Sequence, residues 1–178
     1  MTCPLRAFEW ILLALGLIAA SVADVRSRRV PNWLTIALLA LGLTARTLAG
    51  GLDALAGGLL GTALGTALLI VPFARGWLGG GDVKLLGAIG AWLGPEFIVW
   101  AALYGTAAGG VLSVVYVLGF VPREVRQDVM ANFKAMLLLR RVEAPPVREA
   151  RYSPPYALAL GVGAVITVMT HAAQLLAH

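Results

Sequence analysis

Apolar segments recur along almost the whole chain and constrain its fold more than any other feature. Hydrophobic residues fill 60% of the 178 positions and charged residues only 13%, whereas soluble domains average about 45–50% apolar and about 25% charged residues. About 20 apolar residues suffice to cross the hydrocarbon core of a bilayer as a helix. Because such segments continue into the C-terminal part, the first is predicted to be a retained span, not a cleaved signal peptide. The sequence predicts an all-α, polytopic membrane protein.

Six helical spans are predicted from the apolar runs and the turn residues between them. The fourth run would be only about 17 Å long as a helix, so it cannot cross the bilayer alone. Glycines recur every four residues in the third run (Gly57, Gly61, Gly65) and in the fifth (Gly105, Gly109), which predicts close helix packing. Together the spans form one predicted integral-membrane domain, 1–178, with the approximate ranges 5–23, 33–48, 54–73, 83–93, 97–121 and 156–176.

Residues 122–153 form the one long polar loop, and apolar residues recur in it with helical spacing. This pattern predicts an amphipathic helix on the membrane surface. Cytoplasmic loops are enriched in Lys and Arg, which predicts that the loops after the first, third and fifth spans are cytoplasmic and that both termini are outside. Only Arg6 and Arg46 fall on the other side. The cations of the three loops are Arg26, Arg28, Arg29, Arg75, Lys84, Arg123, Arg126, Lys134, Arg140, Arg141, Arg148 and Arg151.

Two carboxylates are predicted on the cytoplasmic side. Asp24 follows the first span, and Asp82 stands directly after three glycines in Gly79-Gly80-Gly81-Asp82-Val83-Lys84. A carboxylate in apolar sequence is costly unless it faces a cavity and has a partner or a task. Either the helix after Asp82 is short because Asp82 lies below the membrane surface, or the glycine loop dips inward to meet it. Both versions place Asp82 in a cavity.

Each carboxylate also has a purely structural interpretation. Asp82 could be the N-cap of a helix, and Asp24 could pair with Arg28 one turn on. Taken singly, these interpretations are as good as the functional one. Two carboxylates that converge in a low-dielectric cavity cannot both ionise easily, so one keeps a proton and acts as an acid while the other activates water as a base. Such a pair titrates as a unit.

The composition argues against other kinds of site. With one cysteine, Cys3, and two histidines, His171 and His178, we expect no disulfide framework, no metal and no cofactor. The net charge of +5 is explained by the cytoplasmic loops, so no nucleic-acid partner is expected.

The two segments that carry these aspartates resemble those of the type IV prepilin peptidases, GxGD-type aspartic proteases of bacterial and archaeal membranes. The resemblance covers nearly the whole chain, and Pro155-Tyr156 opens the last span, as is frequent in that family. The residues of the first segment that carry it are Asp24, Arg26, Arg29, Pro31 and Asn32, and those of the second are Gly79 to Lys84.

The resemblance implies cleavage of the leader peptide from prepilin or pseudopilin precursors at the cytoplasmic face of the inner membrane, while the following apolar helix stays in the lipid bilayer. It implies that Asp24 and Asp82 carry catalysis. Glycine adopts φ > 0 and lets a second backbone approach closely, so replacing Gly81 should distort the pair. Tyr156 is more simply an interfacial anchor. The implied supporting or substrate-binding residues are Gly79, Gly80, Gly81, Lys84, Arg26, Pro31, Asn32, Pro155 and Tyr156.

The chain departs from the larger members of that family. They carry a cysteine-containing insert between the first two spans and also N-methylate the new terminus, whereas this chain has only the short loop from Asp24 to Asn32. N-methyltransferase activity is therefore not expected. The compact form resembles the peptidases of tight-adherence (Flp) pilus systems or the archaeal preflagellin peptidases. The sequence leaves the substrate open, and also whether the chain forms a homo-oligomer.

Two other functions stay open. A small proton-coupled transporter would use paired carboxylates as a proton relay, but transporters usually show internal repeats, and no convincing repeat is found here. A non-enzymatic pilus assembly factor would use the glycine faces for packing and the aspartates as caps. For the assembly factor, changing either aspartate should leave function intact.

Overall fold

Five helices form the part of the chain that the computed structural model describes, namely residues 7–27, 29–76, 78–120, 122–123, 126 and 156–176. No strand occurs among these residues, so the all-α prediction is confirmed for them. Most of the predicted amphipathic segment, together with Pro155 and Arg28, lies outside the described residues. The helices are α1 (Ala7–Ser27), α2 (Asn32–Ala74), α3 (Gly80–Leu93), α4 (Pro95–Phe120) and α5 (Tyr156–Leu176).

Two glycines break α2 near its middle. Gly50 is non-helical, and Gly51 has a φ of 67°, in the left-handed region that glycine enters without a Cβ penalty. They divide the helix into arm 1 (residues 32–49) and arm 2 (residues 52–74). A straight helix of 43 residues would be about 65 Å long, roughly twice the hydrocarbon thickness. The arms instead lie side by side next to the break, where Arg46 Nε donates to the carbonyl oxygen of Ala54 at 3.2 Å.

The centre of the bundle is α3, in which every residue from Leu85 to Leu93 is buried. It has 14 residues, or about 21 Å, so it is too short to span a bilayer. It runs antiparallel to arm 2 and parallel to arm 1. The buried indole of Trp92 donates from Nε1 to the carbonyl oxygen of Leu38 in arm 1 at 2.9 Å.

Contact between arm 2 and α3 depends on glycine. A Cβ at Gly61 would collide with the carbonyl oxygen of Gly90, and a Cβ at Gly65 would lie 2.6 Å from the carbonyl oxygen of Leu86. These backbones therefore meet at a distance that no larger residue permits. The prediction of close packing along this face is confirmed at Gly61 and Gly65.

Glycine also brings α4 and α5 together as antiparallel neighbours. A Cβ at Gly105 would lie 3.2 Å from Leu160, and one at Gly109 would lie 2.8 Å from the ring of Tyr156. The close-packing face predicted for Gly105 and Gly109 is thus confirmed. It holds the first turn of α5 beside the middle of α4.

The outer surface of the bundle is apolar. By length and composition α1, α2 and α4 can each cross a membrane, and residues 156–170 of α5 form a shorter apolar helix. Contiguous exposed apolar surface is uncommon on soluble monomers, so this surface suits lipid. Among the exposed side chains are Ile11, Leu15, Trp33, Leu60, Val111 and Met169.

Gly61→Ala is expected to destabilise the fold, whereas Gly110→Ala is not. The added methyl at Gly61 meets backbone, and overpacking typically costs about 1–3 kcal/mol. Gly110 has nothing within 4 Å of a built Cβ, and alanine within a helix is favoured over glycine by about 0.5–1 kcal/mol. Thermal unfolding of both variants in one detergent measures the difference. Equal unfolding midpoints would contradict the packing described here.

Candidate active site

Asp24 lies near the C-terminal end of α1 and faces the start of α5. Its Oδ2 accepts a hydrogen bond from the backbone N–H of Ala157 at 3.0 Å. The first N–H groups of a helix lack partners within the helix, and its N-terminal end attracts negative charge. The first turn of α5 therefore favours a carboxylate at this position.

Asp82 lies in the first turn of α3. The N-cap is Gly79, whose carbonyl oxygen accepts from the Asp82 N–H at 3.1 Å. The N–H of Gly79 in turn donates to Asp82 Oδ2 at 3.2 Å, which is the reciprocal half of a capping box. The interpretation of Asp82 as the N-cap itself is therefore wrong, because it stands three residues later. The carboxylate still contributes to the helix start.

The two aspartates lie close enough to interact. Burial, and after it the charge of Asp24, together raise the pKa of the Asp82 carboxyl to about 6, although the hydrogen bond from Gly79 lowers it. Burial disfavours the charged form of an acid, and a neighbouring negative charge does the same. Asp82 therefore holds its proton to a higher pH than an ordinary aspartate does.

A hydrogen bond joins the segment after Asp24 to the segment that contains Asp82. Lys84 Nζ donates to Asn32 Oδ1 at 3.0 Å, which ties α3 to the start of arm 1. Asn is a favoured N-cap residue, but Asn32 does not cap α2. Pro31 is the N-cap residue, and its carbonyl oxygen accepts from Leu34 N at 3.1 Å. The Asn32 side chain is turned to Lys84 instead.

The glycines before Asp82 do not have the conformation that was expected. The φ of Gly79 is −77°, and positive φ occurs among the described glycines only at Gly51, Gly76 and Gly94. A Cβ at Gly81 would lie 3.5 Å from Val30, an ordinary contact. The reason for glycine here is not left-handed backbone.

Tyr156 lies at the wall of the site, although an interfacial anchor seemed the simpler role. Its ring packs on Gly109, its hydroxyl is hydrogen bonded to the side chain of Thr106, and it lies within electrostatic range of Asp82. No sequence pattern singled out Thr106, or the backbone amide of Ala157. Both groups are distant from the aspartates in sequence, and only the folding of the chain brings them near the site.

Two further predicted residues, Arg26 and Gly80, lie at the rim of the site. Arg26 is exposed in the last turn of α1 and lines a shallow groove of about 330 Å³ with Ser21, Val22, Val25 and Leu158. Gly80 packs near Phe73. In the part of the chain that is described, no group of three or more His, Cys, Asp or Glu side chains has the arrangement of a metal site.

Asp24→Asn is expected to lower the pKa of Asp82 without returning it to the ordinary value. The substitution removes the charge of Asp24 but leaves burial, which is the larger cause. Titration of ¹³C-labelled aspartate by NMR in nanodiscs measures this pKa, with Asp82→Asn to assign the signal. An Asp82 titration that is identical in wild type and Asp24→Asn would mean that the two carboxyls do not interact.

Gly81→Ala is expected to keep the thermal stability of the wild type, because the new methyl group makes only ordinary contacts with Val30. This differs from the distortion that the sequence suggested. Gly61→Ala serves as the comparison in the same thermal unfolding experiment. A loss of stability at Gly81 as large as that at Gly61 would show that the loop is tighter than described.

The chain is similar to proteins with known names. A family model described as "Type IV leader peptidase family" matches residues 11–114, a range that includes Asp24 and Asp82. The prepilin leader peptidase/N-methyltransferase of Bacillus subtilis is 34% identical over 139 residues, covering 71% of this chain and 56% of the relative. The proteins of the same name in Xanthomonas campestris and Pseudomonas aeruginosa are each 33% identical, each covering 62% of this chain, and 41% and 40% of the relative.

The chain thus spans about half the length, or less, of the relatives that it matches. No solved structure matches it. The family model covers more than half of the 178 residues, and the apolar helices that surround the aspartates fit an integral membrane protein. The chain belongs to the type IV leader peptidase family.

Proposed function

We propose that the chain is an aspartic endopeptidase that removes the leader peptide from type IV prepilin-like precursors, with Asp24 and Asp82 as the catalytic residues. The observation that carries this proposal is the pairing of the two carboxyls, in which burial and the charge of Asp24 raise the pKa of Asp82 to about 6. A purely structural carboxylate would gain nothing from a second negative charge beside it. A proton-sharing pair depends on one.

The surroundings divide the roles of the pair. Asp24, which accepts the amide N–H at the start of α5, is the ionised member, and Asp82 is the protonated one. Asp24 takes a proton from a water molecule, whose oxygen attacks the scissile carbonyl carbon, while Asp82 gives its proton to the carbonyl oxygen. The tetrahedral diol then breaks its C–N bond as the amine nitrogen receives the proton held by Asp24, and a diol hydroxyl returns a proton to Asp82. The sum is peptide plus water giving an acid and an amine.

The position of the pair suits a substrate that is itself anchored in the membrane. Asp82 lies at one end of the short helix α3, and Gly79, Asn32 and Lys84 beside it are exposed. A precursor can therefore bring its leader to this end while its apolar helix stays in lipid. The Lys84–Asn32 hydrogen bond gives both residues a positioning role, and the rim glycines leave room for an extended backbone.

The topology that we propose rests on the distribution of Lys and Arg in the sequence. The two arms of α2 count as two membrane-embedded segments, which gives six with α1, α4, α5 and the short helix α3. The end of the bundle that bears the aspartates is cytoplasmic, both termini are outside, and the membrane is the inner membrane. Flp-type precursors are the proposed substrates, and the amphipathic segment 122–153 remains a prediction. The relatives' names include N-methyltransferase, but we include no such activity for this chain.

Asp24→Asn and Asp82→Asn are each expected to abolish leader cleavage. Asparagine keeps the shape of aspartate but cannot hold or exchange the shared proton. The measurement is the mass of a co-expressed Flp-type prepilin, at matched levels of folded enzyme. Asp53→Asn is the matched control, because Asp53 is exposed in the break region of α2 and should leave cleavage intact. In wild type, the rate should fall as pH rises through about 6, because Asp82 then loses its proton.

Cleavage that survives in either active-site variant would exclude the two-aspartate mechanism. If both variants are inactive in a proton-flux assay but cleave normally, the transporter is favoured. If all variants support pilus assembly and wild type cleaves nothing, the non-enzymatic assembly factor is favoured. The product mass also reports whether a methyl group has been added.

A further inference from the structure

We propose that Arg46, with the charge of the buried Glu9 acting on it, anchors the C-terminal end of α3 and so sets the position of Asp82 at its other end. Neither residue belongs to the proposed catalytic mechanism. The inference rests on the proposed function only in so far as the anchor serves peptide cleavage. The first observation behind this proposal is that α3 ends inside the bundle, where Leu93 and Gly94 are buried.

A helix end inside apolar surroundings needs partners for its last carbonyl groups. Arg46 supplies one, because its Nη1 donates to the carbonyl oxygen of Trp92 at 3.0 Å. Its Nε donates to Ala54 at the start of arm 2. One guanidinium therefore joins arm 1, arm 2 and the end of α3. The planar fork of Arg suits this bridging, and the single ammonium group of Lys does not.

Because Gly94 has no side chain, the guanidinium of Arg46 can lie against the backbone at the end of α3. Gly94 follows α3 directly, has a φ of 80°, and a Cβ there would lie 2.8 Å from Arg46 Nη1. The backbone thus leaves space for Arg46 at the point where α3 ends. This close approach distinguishes Arg46 from a surface cation that happens to touch a carbonyl.

Glu9 supplies the opposite charge. It is only 5% exposed, in the first turn of α1, and its charge acts on Arg46. A charge that is removed from water needs a partner. The sequence placed Arg46 on the side of the membrane opposite the cytoplasmic loops. The structure half-buries Arg46 at the end of the bundle opposite the aspartates, and it buries Glu9 at that end as well.

The anchor acts on the site through α3. Asp82 and Trp92 lie ten residues apart on this rigid, buried helix, or about 15 Å. Lys84–Asn32 fixes the helix at one end and Arg46–Trp92 at the other. A shift of α3 along its axis would change both the burial of Asp82 and its separation from Asp24.

Arg46→Met is expected to lower kcat with little change in KM, by a factor on the order of tenfold to a hundredfold, since a misplacement of about 1 Å can cost 10²-fold. Arg46→Lys should recover part of this loss. The pKa of Asp82, measured by NMR of labelled aspartate in nanodiscs, should fall toward the ordinary value in Arg46→Met. Arg123→Met, which removes an exposed cation, is the control and should change neither quantity.

The double variant Glu9→Leu/Arg46→Met separates positioning from stability. Replacing two interacting charges in the interior by apolar residues often restores stability, so the unfolding midpoint of the double variant should recover while the titration of Asp82 stays shifted. Recovery of both would overturn the proposal, as would an unchanged Asp82 titration in folded Arg46→Met. If wild type fails to cleave prepilin, the proposed function fails, but the titration still decides whether the anchor positions Asp82.

Discussion

The contact of α3 with arm 2 is the constraint on which the rest of the structure depends. A 14-residue helix cannot reach both surfaces of a bilayer, so other helices must enclose it. Gly61 and Gly65 allow this, because their missing side chains let the α3 backbone approach within direct contact of arm 2. The break at Gly50 and Gly51 places arm 1 beside the same helix. The depth of Asp82 is therefore a property of the bundle as a whole.

The candidate site combines groups from three helices that are far apart in sequence. α1 supplies Asp24, α3 supplies Asp82, and the first turn of α5 supplies the Ala157 amide and the ring of Tyr156. Each aspartate is bonded to the backbone N–H of a helix start, but the two environments differ. Asp24 meets the amide of a neighbouring helix, whereas Asp82 bonds back to its own N-cap residue while burial disfavours its charge. This asymmetry lets two chemically identical groups hold different protonation states.

Much of the architecture could be predicted because the signals are local. Apolar runs and glycine spacing predicted the helices, the short length of α3 and the packing faces at Gly61 and Gly105. Asp82 was singled out as a charge in apolar sequence, and Asp24 because it was predicted on the same side of the membrane and matched the family resemblance. The catalytic role of Asp24 and Asp82 stays a prediction, since the geometry describes their pairing but not a reaction.

The sequence-based predictions that were wrong depend on tertiary contacts, which no local sequence pattern encodes. Asn is a favoured N-cap residue, but the side-chain oxygen of Asn32 accepts a hydrogen bond from Lys84, 52 residues away. Arg46 was placed on the side opposite the cytoplasmic loops because of its position in the sequence. Its hydrogen-bond partners, Ala54 and Trp92, come from other parts of the bundle. The glycine loop was given positive φ because glycine permits it, although a helix start at Gly80 requires ordinary values. Tertiary context decided each case.

The bond from Ala157 to Asp24 spans 133 residues of chain, which has a consequence for the order of assembly. While the ribosome is still making α4, Asp24 and Asp82 are both already in the chain. The backbone N–H of Ala157, which donates a hydrogen bond to Asp24, has not yet been made. The two carboxyls therefore acquire their different environments only when α5 has entered the membrane. A nascent chain that holds both aspartates therefore lacks the completed pair, and the proposed catalytic centre forms only at the end of membrane insertion.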